Sequence, residues 1–148
     1  MMASILDYPA RKVFVKDLTK CVRLQTQGVE NVGKKKQKEW KIECNGVEFI
    51  ATVVWMQGLV TEINKEEGFM ILDDSTGRVK VAGYNNIPFI SLSLATGQYV
   101  MVIASVSRCG DLPVVCALKL QSLTQVENAE RSWSLEVMDQ ILHLSALG

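Results

Sequence analysis

The stretch WKIECNGVEFIATVVWMQGLVTEIN (Trp40–Asn64) decides the fold. Asn45-Gly46 is a dipeptide favoured by a two-residue type I′ turn, where both central residues need positive φ. Folding there pairs Cys44 with Val47, Ile42 with Phe49 and Trp40 with Ala51. Residues directly opposite share a face, so Trp40, Ile42, Cys44, Val47, Phe49, Ala51 and Val53 line one side, and Lys41, Glu43, Glu48 and Thr52 the other. A half-buried antiparallel ribbon is expected. The outgoing strand then runs on through VVWMQGLV, well beyond the usual length of about five or six residues. Gly58 in its middle predicts a bulge or bend, the device that lets one strand serve both halves of a small closed barrel.

Working outward, Asn64 to Gly68 reads as a turn, Phe69 to Leu72 as a strand, DDSTG (Asp73–Gly77) as a turn, and Val79 and Val81 alternate with Arg78 and Lys80 along a third strand. Tyr84 to Thr96 is looser, with Pro88 interrupting. Gln98 to Val106 is an apolar, β-branched run, and Val114 to Leu123 supplies a fifth barrel strand in which Val115, Ala117 and Lys119 alternate with Val114, Cys116, Leu118 and Leu120. The period then changes. Trp133, Val137, Ile141 and Leu144 recur at helical spacing, with Asn128 as the expected cap. Upstream, Lys12 to Leu24 is expected to form a short strand, and the Lys34, Lys35, Lys36, Lys38 run a solvated loop. The sum is one all-β domain, a five-stranded OB-fold barrel with an N-terminal β-extension and a C-terminal α-helix. Residues 12–48 are read as arm, 49–123 as barrel and 128–146 as interface helix.

Composition narrows function. The chain has 148 residues, 48% hydrophobic, and its 16 basic and 16 acidic side chains leave zero net charge. That size suits one domain, and neutrality argues against binding that depends on neutralising many phosphates. Cys21, Cys44, Cys109 and Cys116 are scattered without zinc-ligand spacing, so no metal is expected and the thiols are read as reduced in an intracellular protein. No signal peptide or membrane span is expected. His143 has no nucleophile placed near it by any motif, and Asp73 and Asp74 suit turn hydrogen bonds better than acid–base work. No cofactor and no enzymatic activity are expected.

Binding residues are therefore the quarry. Phe69 shares its alternation with Ile71 and reads as core, leaving Arg78 and Lys80 as weak DNA candidates on a thin strand face. Trp55 has two readings, core beside Phe49 and Val53 or outward beside Gln57. Lys119 must reach solvent or a carboxylate. Trp55 and Lys119 are kept as candidate docking residues. The helix is apolar around more than one face, whereas a helix lying on one barrel needs a single covered side. Trp133, Leu135, Val137, Met138, Ile141, Leu142 and Leu144 are read as a partner interface, with Trp133 as first anchor.

VVWMQGLV (Val53–Val60), LDDSTGRVKVAG (Leu72–Gly83), GQYVMVIASVSRC (Gly97–Cys109) and WSLEVMDQI (Trp133–Ile141) resemble, in order and spacing, the small OB-fold subunit family of the RecQ-mediated genome instability complex. The resemblance spans about Ile50 to Ile141, and the N-terminal third adds no motif to it. The resemblance implies a nuclear, non-catalytic protein that pairs with a larger OB-containing subunit. Through that subunit it implies topoisomerase III alpha and a Bloom-type RecQ helicase, in the dissolution of double Holliday junctions. It also implies a Fanconi anaemia M translocase peptide docking on the paired OB domains, and little direct DNA binding by the small subunit. An autonomous single-stranded-DNA-binding OB protein is the alternative.

Overall fold

The computed structural model describes residues 10–24, 39–87, 94–124, 126 and 128–147. The Lys34 to Lys38 run and Pro88 lie outside the described residues. In chain order the strands are β1 (Arg11–Lys12), β2 (Val22–Leu24), β3 (Glu39–Cys44), β4 (Val47–Ala51), β5 (Val53–Asn64), β6 (Phe69–Asp73), β7 (Arg78–Ala82), β8 (Tyr99–Arg108) and β9 (Val114–Ser122), followed by helix α1 (Ala129–Leu147).

The Asn45-Gly46 hairpin has the expected register, Cys44 opposite Val47, Ile42 opposite Phe49 and Trp40 opposite Ala51, with φ of 50° and 82° at the turn. It does not run unbroken into the barrel. The chain breaks at Thr52, so β4 stays in a three-stranded sheet ordered β2-β3-β4 while β5 enters the barrel sheet. Thr52, expected on the polar face, is buried at this break.

β5 then serves both halves of the barrel. Val53 to Leu59 pair with β8, and Leu59 to Asn64 with β6. The handover falls at Gly58 and Leu59, where a Cβ on Gly58 would stand 3.0 Å from the Asp73 carbonyl oxygen. A larger residue here would push β6 away from the crossing. Closure follows the order β5-β6-β7-β9-β8 and back to β5, with β7 and β9 parallel.

Three local expectations are corrected. Lys12 to Leu24 is not one strand. A 3-10 turn at Val15–Leu18 divides it, because the Asp17 carboxylate accepts the Phe14 N–H at 2.9 Å and the Asp74 carboxylate the Val15 N–H at 2.8 Å. Along β9 the simple alternation fails at a register shift opposite Ile103 and Ala104. Leu118 is the extra residue, so Leu118 and Lys119 are both exposed and Leu120 packs on the core. Finally, Cys21 and Cys109 are disulfide-bonded, with Cα atoms 6.0 Å apart, where four reduced thiols were expected. Cys44 is a buried free thiol and Cys116 an exposed one.

Two apolar clusters result. Val54, Met56, Val60, Met70, Leu72, Val79, Val81, Val100, Val102 and Val115 fill the barrel. A second cluster of Phe14, Cys44, Trp133, Val137 and Ile141 lies under α1, with Phe49 and Trp55 packed against it.

Candidate docking surface on the C-terminal helix

Helix α1 follows Asn128, whose φ of 65° is left-handed rather than the extended backbone usual at a cap. Its carbonyl accepts the Ser132 N–H at 2.9 Å, so it still opens the helix. From there the apolar residues divide between two faces. Trp133, Val137 and Ile141, spaced four apart, are buried in the second cluster. Trp133, the expected first anchor for a partner, is 2% exposed, so its side chain is spent inside its own chain. Leu135 and Leu142 are 70% and 68% exposed. At 3.6 residues per turn they lie roughly 140–160° around the helix from Val137, and about 10 Å apart along it. Met138, half-buried, stands between them and contacts the Asn45 side-chain nitrogen at 3.1 Å. Leu144 is half-buried as well. Leu135, Met138 and Leu142 thus follow the three-then-four spacing by which one helix offers a seam to another.

The remaining candidates are dispersed. Phe69, expected in the core, lies on the outer wall of β6 because Met70 and Leu72 point inward. Its ring carries the Lys80 ammonium at 4.3 Å, and Arg78, two residues along β7, is exposed. With apolar residues on both faces of β6, alternation alone could not tell them apart. Trp55 resolves as neither of its two readings. It stands on the outer wall of β5, half-buried under α1, with the Lys12 ammonium 4.9 Å from its ring centroid. Lys119 reaches solvent. A 490 Å³ cavity between the first turns of α1 and the Asp73 to Thr76 turn is lined by Phe14, Tyr99, Glu130 and Trp133 among others. Burial, with Glu130 adding to it, holds the Tyr99 phenol well above its ordinary pKa, and its hydroxyl donates to Gln57 Oε1 at 3.2 Å.

The residues with catalytic or metal-binding potential serve the structure or face water. Asp74 Oδ1 accepts from the Thr76 N–H, the Thr76 hydroxyl and the Gly77 N–H, and Asp73 from the Ser75 N–H. His143 is exposed on α1. Among the described residues, no group of three or more His, Cys, Asp or Glu could hold a metal ion. None of the described helices is long and apolar enough to cross a membrane.

A closed five-stranded barrel with one strand shared between its halves, one parallel pair and a helix on its wall is an OB fold. Solved structures agree. The telomere capping protein Ten1 from Saccharomyces pombe superposes with a TM-score of 0.54 at 12% identity, covering 88% of this chain and 96% of that one. A chain of a replication protein A heterotrimer bound to ssDNA gives 0.63 at 12% identity, covering 91% and 97%. Within that class, the family model of RecQ-mediated genome instability protein 2 matches residues 9–141, and the chain belongs to that family. The Gallus gallus protein of that name is 36% identical over 85 residues, 57% of this chain and 62% of its own length. The Bos taurus protein is 35% identical over 94 residues, 64% and 59%. The matched stretch thus spans about three fifths of these relatives.

Proposed function

We propose that the chain is a nuclear, non-catalytic scaffold subunit acting in RecQ-mediated genome stability, and that it heterodimerises with a larger OB-containing subunit through α1. The single observation carrying this reading is the seam on α1 in which Leu135 and Leu142 are exposed on the face turned away from the barrel, with half-buried Met138 at its inner edge. Trp133, Val137 and Ile141 support that seam from beneath rather than meeting the partner. Family membership supports the wider assignment, to an assembly with topoisomerase III alpha and a Bloom-type RecQ helicase in double Holliday junction dissolution and DNA repair. In the same reading a Fanconi anaemia M translocase peptide docks on the heterodimer, and the exposed Lys119 and half-buried Trp55 are secondary docking residues.

The test is the mass in solution of the full chain, alone and with the C-terminal OB region of the larger subunit, by size exclusion with light scattering. Wild type is expected to form a 1:1 complex, and the Leu135→Asp, Leu142→Asp double variant to stay folded and alone. A double variant that still co-elutes sinks the seam, and a monodisperse wild type that ignores the partner sinks the pairing.

A second reading, autonomous single-strand binding, draws on Phe69 capped by Lys80 beside Arg78 on the outer wall. Stacking on such a ring is worth about 1–3 kcal/mol per base. Titration of labelled ssDNA at rising salt decides it: salt-sensitive affinity lost in Phe69→Ala supports this reading, and no measurable affinity at low salt removes it.

A further inference from the structure

Helix α1 is apolar on two nearly opposite sides, and apolar contact is non-directional. Hydrophobicity alone therefore does not decide which side lies on the barrel and which is offered to a partner. Among the described residues, the directional contacts between α1 and the barrel sheet converge on one residue, Lys12. β1 runs parallel along β5, Lys12 beside Trp55, and the next N–H, of Val13, donates to the Trp55 carbonyl at 3.1 Å. The N–H and carbonyl of Lys12 point to the other side, as alternation in a strand requires, where this short edge strand has no further strand among the described residues to pair with. Both groups meet Gln140. The Lys12 N–H donates to Gln140 Oε1 at 2.8 Å, and Gln140 Nε2 donates to the Lys12 carbonyl at 2.8 Å. The primary amide imitates a peptide group, so α1 completes the β1 ladder with a side chain. One turn earlier on the same helix face, Glu136 holds the Lys12 ammonium at 3.1 Å, and that ammonium also lies over the Trp55 ring.

We infer that Gln140 is a positioning residue for docking: its two-point bond to the Lys12 backbone sets the roll of α1 and so keeps Leu135 and Leu142 facing outward, with Met138 at the inner edge of the seam. The inference rests on the seam reading above. It explains why an edge strand of two residues is retained at all. β1 carries no inward-facing barrel residue of its own, yet among the described residues it holds the helix by paired backbone-to-side-chain bonds and an ion pair, where the hairpin offers α1 the single Asn45–Met138 contact.

Gln140→Met keeps the length of the side chain and removes both hydrogen bonds. Gln140→Glu keeps acceptors and loses the donor, until its carboxyl is protonated and again offers one of each. The charged groups at this point are Lys12 on β1 and Glu136 on α1, common to wild type and both variants, so wild type controls for their titration. In the free full-length chain, exchange of the Lys12 amide is expected to accelerate on the order of fivefold or more in Gln140→Met, with a changed near-ultraviolet tryptophan signal and an unchanged far-ultraviolet spectrum. Affinity for the larger subunit's OB region is expected to fall several-fold in both variants at pH 7. For Gln140→Glu the gap from wild type should close as pH drops toward about 4.3. Unchanged Lys12 exchange in Gln140→Met overturns the clamp. Faster exchange with unaltered partner affinity, or a Glu variant whose deficit ignores pH, overturns its role in docking. A wild type that binds no partner refutes the seam reading, while the exchange result still decides whether the clamp exists.

Discussion

Inside the barrel, the inward residues of β5 to β9 are Val, Met, Leu and Ala, and the strands close on each other through backbone bonds. Beneath α1 the filling is Phe14, Trp133, half-buried Phe49 and Trp55, and a Cys44 thiol beside the buried Asp17 carboxylate. The indoles mark the same contrast. Trp40, on the barrel side, donates its ring N–H to the Val106 carbonyl at 3.0 Å, whereas the buried ring N–H groups of Trp55 and Trp133 find no acceptor among the described residues. A closed sheet satisfies its polar groups by construction. A helix laid on its outer wall must be fastened by side chains, and imperfectly. The barrel is thus the self-sufficient unit and the annex the adjustable one.

The contrast breaks first in the barrel. Leu72→Ala removes a 1%-exposed side chain from the closed core, and is expected to cost about 4 kcal/mol. Denaturant unfolding followed by strand and tryptophan signals should show both lost together. If the annex signal survives the loss of the barrel, the annex does not depend on the barrel for its fold.

Trp133→Ala is expected to cost about 3 kcal/mol, because the ring is buried in the annex cluster. Limited proteolysis should cut within α1 at denaturant concentrations where the barrel strands still resist. A variant as stable as wild type would return Trp133 to the partner interface.

Trp133, expected as a partner anchor, is buried in its own chain for a physical reason. Helical spacing identifies which residues share a stripe but not which stripe meets the barrel, and here both are apolar. The hairpin register was legible because Asn45-Gly46 leaves little choice of turn, and the shared strand because Gly58 stands where it crosses β6. What stayed hidden depends on contacts distant in sequence: the break at Thr52, the extra residue at Leu118, the Cys21–Cys109 bond, and the Lys12 backbone held by Gln140, 128 residues away.

Asp17 gives a smaller, pH-dependent effect. Burial raises its pKa above 3.8, outweighing its bonds to Cys44 and Phe14 and the nearby Lys16 charge. The folded state therefore holds this proton more tightly than the unfolded state does. The stabilisation is complete below pH 3.8 and is lost as pH rises through the raised value. Asp17→Asn, which keeps an acceptor for the Phe14 N–H, is expected to melt higher than wild type at pH 7, with the advantage shrinking on acidification. An advantage that is constant with pH would place the cause outside this titration. Cys44, pushed up to about 12 by burial and by Asp17, should resist alkylation in the same folded samples while Cys116 reacts.

The smallest expected effect on the isolated chain is at Leu135 and Leu142, and its smallness is the point. Both side chains face water, and surface substitutions away from special features change stability by about 0.5 kcal/mol or less. Each exchange to Asp should leave the melting curve within that margin, since neither residue touches the annex cluster. Suppose instead that Leu142→Asp destabilises the chain by as much as Trp133→Ala. The two faces of α1 would then not differ as described, because the outer face would already be covered in the free protein. A near-silent melt combined with a lost complex is the pattern expected of a face held open for another subunit, and it places the protein's work on the side of the helix that its own barrel leaves bare.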